Sequence, residues 1–214
     1  MTWDEAVRRY REAFNVATDE QWNAGRVSYY RSLWLYVRLL DDPQCLLEIG
    51  TQNGDSAFFI ACAVAHTNAT IYCVDPVFET GKYVYDEWDG HNVSTESDQT
   101  LVRQRIVGGS GIRDDQLILV PKTSEDYFKE WSGGHIDLVL VDGHHDLEYV
   151  LKDCNWMQHV RHGGYAVFDD WSHHVAAAVY FYVNQVQMGW RILHKSTDIP
   201  LGDWCVSILR RIAA

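Results

Sequence analysis

Apolar positions recur along this chain at two periods. In the first forty residues, Trp3, Ala6, Val7, Tyr10, Phe14 and Ala17 repeat at helical spacing. After the polar turn around Asn23–Gly25, Val27, Tyr30, Leu33, Trp34, Val37 and Leu40 repeat it again. Asp41-Asp42-Pro43 ends this second helix, because the residue before a proline avoids the helical region. Short apolar runs of strand length then follow: Cys45–Ile49, Thr70–Val74, Gln116–Val120, Ile136–Val141, Tyr165–Phe168, Trp190–His194 and Trp204–Leu209. Between most of them lie helical stretches, at Asp55–His66, Ser97–Gly108, Ser124–Trp131, Asp146–Val160 and His173–Met188. In Asp146–Val160, the residues Leu147, Val150, Leu151, Cys154, Met157 and Val160 form one apolar stripe. Continuous apolar strands separated by helices predict an α/β fold, with a doubly wound and mostly parallel sheet covered on both faces. The last two strands are joined by a short loop with no helix, so they are expected to pair as an antiparallel hairpin.

The segment Pro76–Glu96 breaks the alternation. It is rich in aromatics and acids (Tyr83, Tyr85, Asp86, Glu87, Trp88, Asp89, His91) and reads as irregular. A long loop inside a compact domain is usually functional or disordered, and residues 76–99 are read as a lid or substrate-binding insertion. Residues 1–214 are expected to form one domain, with 1–42 as a helical N-terminal extension.

Composition narrows the function classes. The chain has 18 Lys and Arg against 30 Asp and Glu, a formal net charge of −12. That balance disfavours a nucleic-acid grip, which needs clustered basic groups, and suits a cationic ligand or a metal. Nine Trp, twelve Tyr and seven Phe exclude a disordered chain. The aromatic N-terminal helices (Trp3, Tyr10, Phe14, Trp22, Tyr29, Tyr30, Trp34) exceed what one sheet edge easily covers, which suggests a homodimer or a substrate lid beside ordinary core packing. Cys45, Cys62, Cys73, Cys154 and Cys205 form no C-x-x-C pair and read as buried reduced thiols. The longest apolar run, Ala57–Ala65, is far short of the roughly 20 residues that span a membrane. Met1–Tyr10 lacks the apolar stretch of a secretory leader, and a cytoplasmic setting without membrane partners is expected.

Three motifs carry chemistry. In Leu46–Ser56 an apolar strand enters a glycine loop that opens a helix, so the backbone can approach a ligand closely and present free N–H groups. The spacing G-x-x-x-G at Gly50 and Gly54 does not specify a pyrophosphate, and Glu48 just before it favours a cationic ligand. In Ile71–Pro76, Asp75 ends the second strand 25 positions after Gly50, where a carboxylate accepts the hydroxyls of a ribose. In the third motif, Asp142 follows the strand Ile136–Val141, and Asp169 and Asp170 follow Tyr165–Phe168. A parallel sheet brings these three carboxylates to one edge, where they repel unless protonated or neutralised by a cation. All-oxygen ligation favours Mg²⁺ first, with Mn²⁺ or Ca²⁺ as alternatives. The competing reading has Asp169 and Asp170 cap a helix and Asp142 start a turn.

Taken together, these motifs resemble the class I S-adenosylmethionine-dependent methyltransferases, in the metal-dependent small-molecule O-methyltransferase branch of catechol and macrolide or antibiotic-sugar type. The matching runs are Glu48–Ser56, Val74–Pro76, Val141–Asp146 and Gly163–Asp170, and the terminal hairpin resembles the family's reversed seventh strand. The resemblance implies a Rossmann-like seven-stranded sheet. It implies S-adenosylmethionine as the methyl donor, bordered by Glu48, Gly50, Thr51, Gly54, Ser56 and Asp142, with Asp75 on the ribose and Ser124 and Glu125 beside the adenine. Asp142, Asp169 and Asp170 would hold the metal, and His145, three residues past Asp142, would be the general base. Catechol-type relatives usually carry Lys at the base position and Asn at the third ligand. His145 and Asp170 therefore turn the resemblance toward the antibiotic-sugar type.

An imidazole with an ordinary pKa of roughly 6.5 accepts a proton near neutrality, which suits His145 as base. Its alternatives are a helix cap at Asp146, or His144 as the base, with His173 and His174 as substrate contacts. The acceptor is expected to be a small hydroxylated molecule. Other readings are an NAD-dependent oxidoreductase, disfavoured by the missing third glycine, a non-catalytic binding protein on the same fold, and a nucleic-acid methyltransferase, disfavoured by the lack of a basic stripe.

Overall fold

The computed structural model describes residues 1–16, 24–86, 92–187, 189–195 and 207–212. Seven strands form one sheet: β1 (Cys45–Ile49), β2 (Thr70–Val74), β5 (Leu117–Val120), β6 (Ile136–Val141), β7 (Val160–Phe168), β8 (Trp190–Lys195) and β9 (Ser207–Arg211). Their spatial order is β5-β2-β1-β6-β7-β9-β8. The first five are mutually parallel, and β9 runs antiparallel to both β7 and β8. The expected terminal hairpin is present, with β9 inserted between β7 and the edge strand. The Trp204 start of its second strand lies outside the described residues.

Strand periodicity divides the core in two. Leu46, Ile71, Cys73, Leu138 and Leu140 face one layer, while Leu47, Ile49, Val74, Val139 and Val141 face the other. Against the first layer pack α1 (Trp3–Ala13), α2 (Ala24–Arg38), α3 (Asp55–Val64) and α5 (Gln99–Ser110). Against the second pack α6 (Ser124–Glu130), α7 (Leu147–Asp153) and α8 (His173–Phe181). Every strand that is apolar throughout is therefore covered twice.

The aromatic N-terminal helices find their cover within the chain. Tyr30 stacks on Phe59 of α3 with ring centroids 4.8 Å apart, and Tyr10 stands 5.0 Å from Phe59 and 5.7 Å from Phe58. Trp3 contacts both Phe59 and Trp34. Trp22 lies outside the described residues.

Several sequence expectations need correction: β7 starts at Val160 rather than Tyr165, and the helix from His173 stays α-helical only to Phe181. Residues 146–160 are not one α-helix, since α7 ends at Asp153 and a 3₁₀ turn, Cys154–His159, follows. The segment from Pro76 is not irregular. It contains a short helix α4 (Val77–Thr80) and a hairpin of β3 (Lys82–Asp86) and β4 (Asn92–Glu96), separate from the main sheet. Glu87, Trp88, Asp89 and His91 lie outside the described residues. The hairpin base is tied down: Ser97 N–H donates to the Gly81 carbonyl at 3.0 Å, and Ser97 Oγ donates to the Gln52 carbonyl at 2.6 Å. Among the described residues, no helix is long and apolar enough to cross a membrane.

Candidate active site

The sheet ladder runs one residue past each parallel strand and so lines up four loops. Asp75 N–H donates to Val120, Gly50 to Val74, Asp142 to Ile49 and Asp169 to Val141, each at 2.9–3.0 Å. This common edge floors a cavity of about 470 Å³. That volume lies within the range of small-molecule sites. Gly50, Thr51, Ser56, Asp75, Ser124, Glu125, Asp142, His145, Asp169 and Asp170 all line it.

Glu48 and Gly54 sit behind the wall instead. Glu48 is fully buried, and its Oε1 accepts the Ser56 hydroxyl. Burial pushes its carboxyl up to about 7, against the pull of that hydrogen bond. Gly54, at φ +84°, caps α3, and a Cβ there would stand 3.0 Å from Ile106 and 3.1 Å from Val102. Both residues therefore shape the loop from beneath.

Asp75 is bound into that loop as well. Its Oδ2 accepts from Gln52 N–H at 2.7 Å and its Oδ1 from Val77 N–H at 2.9 Å. Burial raises its pKa, and these two donors oppose the rise. Each oxygen keeps a second lone pair for a ligand hydroxyl.

The three C-terminal carboxylates do come to one place. The Asp142 and Asp169 side chains stand beside each other on this edge, each buried and each facing the other's charge. Burial and mutual repulsion raise Asp142 well above the carboxylate range, and burial pushes Asp169 up to about 6. Asp169 Oδ1 is buried with no hydrogen-bond partner. Asp170 stands in the left-handed region at φ +44°, and its Oδ2 lies 3.2 Å from His145 Nδ1. A non-glycine residue at such a φ is strained and is held there by its surroundings. Among the described residues, no three His, Cys, Asp or Glu side chains form a ready metal cluster. The donor chemistry still suits a hard cation, because the Asp142–Asp169 pair carries repelling charge and one unsatisfied oxygen.

Local hydrogen bonds separate the competing readings. Helix α8 is capped by Ser172, whose Oγ accepts from Val175 N–H, so Asp169 and Asp170 are not its cap. His144 is the imidazole bound to the start of α7, through Asp146 N–H at 3.2 Å. His145 turns the other way, with Nε2 buried and 3.9 Å from Asp142 Oδ1. Burial lowers its pKa, and Asp170 pulls in the opposite direction. His174 Nδ1 faces Asp146 at 3.7 Å.

Asp55 of α3 and Asp153 of α7 line the cavity without having been singled out in the sequence, and they are joined by Tyr30 of α2, from the aromatic helices, and Tyr83 of β3, from the expected insertion. Tyr10 donates its hydroxyl to Asp55 Oδ1, so α1 also braces the wall. Tyr29 is buried, and both burial and the charges of Asp169 and Asp142 raise its pKa. The amino-terminal helices thus contribute to the site itself. Asp153 carried a sequence signal, since it is three residues past Val150 and shares its buried face.

A sequence model described as a methyltransferase domain matches residues 47–171, more than half the chain and the whole strand edge just described. The chain belongs to the methyltransferase domain family. No curated protein matches it. Among solved structures, it is similar to the O-methyltransferase NovP, with TM-score 0.64 and 17% identity over 87% of this chain and 81% of that one. It is similar to the Bacillus cereus O-methyltransferase in complex with SAH, with TM-score 0.62 and 14% identity over 96% and 91%. An rRNA methylase from Streptococcus thermophilus gives TM-score 0.59 and 12% identity over 86% and 95%. At these identities the likeness is one of fold. The family and the site now replace the oxidoreductase reading.

Proposed function

We propose that this methyltransferase moves a methyl group from S-adenosylmethionine to a hydroxyl of a small molecule, assisted by Mg²⁺ at Asp142 and Asp169 with Asp170 as third ligand. The observation that carries this reading is the Asp142–Asp169 pair beside His145, on the wall of the same cavity as the Gly50 loop and Asp75. The O-methyltransferase neighbours NovP and the SAH complex from Bacillus cereus support it. The acidic balance argues against an RNA acceptor.

When bound, adenosylmethionine supplies an electrophilic methyl group, and a divalent cation lowers the pKa of the acceptor hydroxyl. The chain's own part is to hold and move the proton. Asp170 on Nδ1 favours the tautomer that leaves His145 Nε2 as the accepting nitrogen. Burial keeps that ring neutral at physiological pH. Asp75 and the Gly50 loop fix the donor's position, and the walls from α2 and α3 exclude water. The four described cysteines are buried free thiols, consistent with a reducing compartment such as the cytoplasm.

Calorimetric titration with adenosylmethionine and adenosylhomocysteine, followed by a transfer screen on hydroxylated small molecules, tests the reading. Binding of both ligands is expected, with transfer that stops in excess chelator and returns with Mg²⁺. Absence of binding overturns the donor, and full transfer in chelator overturns the metal.

A further inference from the structure

A second cavity lies away from the strand edge, in the cleft between α1 and α5. The two helices touch where Gly109 meets Ala13, since a Cβ on Gly109 would stand 3.2 Å from the Ala13 Cβ and 2.6 Å from the Phe58 ring. Beside that contact they leave a volume of about 490 Å³, which shares no lining residue with the active-site cavity. Space of that size holds a small molecule.

The walls of the cleft are basic, in a chain whose net charge is −12. Arg8 and Arg9 come from α1 and Arg105 from α5, against one wall carboxylate, Glu12. Glu5, outside the lining, serves both α1 arginines, accepting from Arg8 at 2.8 Å and from Arg9 at 2.7 Å. Two guanidiniums on one carboxyl hold Glu5 down to about 2. Arg8 also pairs with Glu12, and Arg9 donates its Nη1 to the Gly109 carbonyl at 3.4 Å. Three guanidiniums against two carboxylates leave a positive surplus.

Arg105 carries that surplus. Among the described residues it has no ion-pair partner, and its Nε is buried without a hydrogen bond. Its guanidinium lies over the Phe14 ring, 4.8 Å from the centroid. That contact holds the fork in place and leaves its charge unneutralised. A buried donor without a partner costs free energy, and an anion in the cleft supplies the acceptor.

The chemistry of the walls narrows the anion. Guanidinium forks match carboxylate and phosphate alike. A phosphate monoester offers three acceptor oxygens and close to two negative charges, so it can meet forks from both helices at once. A carboxylate offers two oxygens and one charge. Ala13 and the half-exposed Leu101 give the cleft an apolar side for an organic body.

We propose that the α1–α5 cleft binds a phosphorylated small molecule, with the phosphate held between Arg105 and the arginines of α1. Such a ligand bridges the two helices at a site separate from the methyl-transfer cavity.

The probes are inorganic phosphate and glycerol phosphate, with acetate as the carboxylate comparison. Each is titrated into the full chain, with sodium chloride holding the ionic strength constant. Both phosphates are expected to raise the melting temperature saturably, glycerol phosphate at the lower concentration, while acetate has no effect over the same range. Arg105→Gln is expected to weaken phosphate binding by at least about tenfold. Arg105→Lys, which keeps the charge but loses the fork, is expected to recover only part of it. No saturable stabilisation by either phosphate, or wild-type affinity in Arg105→Gln, overturns the proposal. Acetate as effective as phosphate overturns the choice of anion, and inorganic phosphate binding more tightly than the ester overturns the organic body. If Arg105→Gln does not fold, amide shifts in the wild type with glycerol phosphate decide. They are expected in α1 and α5, and shifts confined to the strand edge overturn the site equally.

Discussion

Gly50 and Asp142 meet backbone to backbone, so closely that a Cβ on Gly50 would stand 2.0 Å from the Asp142 carbonyl oxygen. Gly50 also sits at φ +85°, which a side chain resists independently. One contact therefore locks the glycine loop to the first of the C-terminal carboxylates. Gly50→Ala is expected to push the two loops apart, lowering both the melting temperature and adenosylhomocysteine affinity. Gly108→Ala is the control, because nothing lies within 4 Å of its Cβ position. In a helix it should gain up to about 1 kcal/mol. Unaltered binding in Gly50→Ala would show that the loop does not shape the ligand site.

Asp142 and Asp169 hold a proton that an isolated carboxylate would release. The folded protein keeps it up to about pH 6 at Asp169, while the unfolded chain loses it in the ordinary carboxylate range. The pair therefore costs stability as pH rises through that window. Asp169→Asn should melt higher than the wild type at pH 8 without metal, and the gap should narrow at pH 5. The same variant should lose transfer by roughly 100-fold or more and lose any stabilisation by Mg²⁺. A variant that melts lower at pH 8 yet keeps Mg²⁺ stabilisation would contradict the carboxylate assignment.

His145 is held below its ordinary value of 6.5 by burial. A base with that property is active when neutral, so kcat/KM should fall only on the acid side of 6.5. His145→Ala should reduce turnover by about 100-fold or more and remove that acid limb. An acid limb that persists in His145→Ala would transfer the role to another group, with His144 tested next by the same profile.

Glu48 gives a cleaner stability signal because it lies behind the cavity wall. Its carboxyl titrates at about 7 in the fold, against 4.5 ordinarily. Between those values the unfolded chain binds fewer protons than the folded one, so stability declines as pH rises from 4.5 to 7. The full loss is on the order of 3 kcal/mol. Glu48→Gln keeps an acceptor for the Ser56 hydroxyl and should lack this part of the decline. Denaturant midpoints at pH 5, 6, 7 and 8 would measure it, and parallel curves for the two proteins would refute it.

How much of this was legible depends on where each group sits. Strands β1, β2 and β6 begin and end where the apolar runs predicted, because strands covered on both faces show near-continuous apolar stretches, broken here only by Glu48 in β1 and Asp137 in β6 among their charged positions. The 3₁₀ turn after Asp153 was hidden because Cys154, Met157 and Val160 are spaced by three, a spacing that suits both helix types. The start of β7 was missed because Arg161-His162-Gly163-Gly164 carries no apolar signal. The β3–β4 hairpin lacks a sheet to cover it and so shows no buried-strand pattern. Asp75, Asp142 and Asp169 could be read because each follows a strand, and parallel strands end on one edge. Tyr30 and Asp55 reach the cavity from helices, and only their packing determines which face points inward.

The Tyr10–Asp55 hydrogen bond and the Tyr30 wall couple loading of the cavity to folding of the amino terminus. A ligand that binds only when that wall is assembled stabilises α1 and α2 by mass action, by about 2.7 kcal/mol at one hundred times its dissociation constant. Amide hydrogens in those helices should then exchange about a hundredfold more slowly wherever exchange requires the wall to open. The helices that carry none of the signature motifs would thus report, through their own protection, that a ligand is bound.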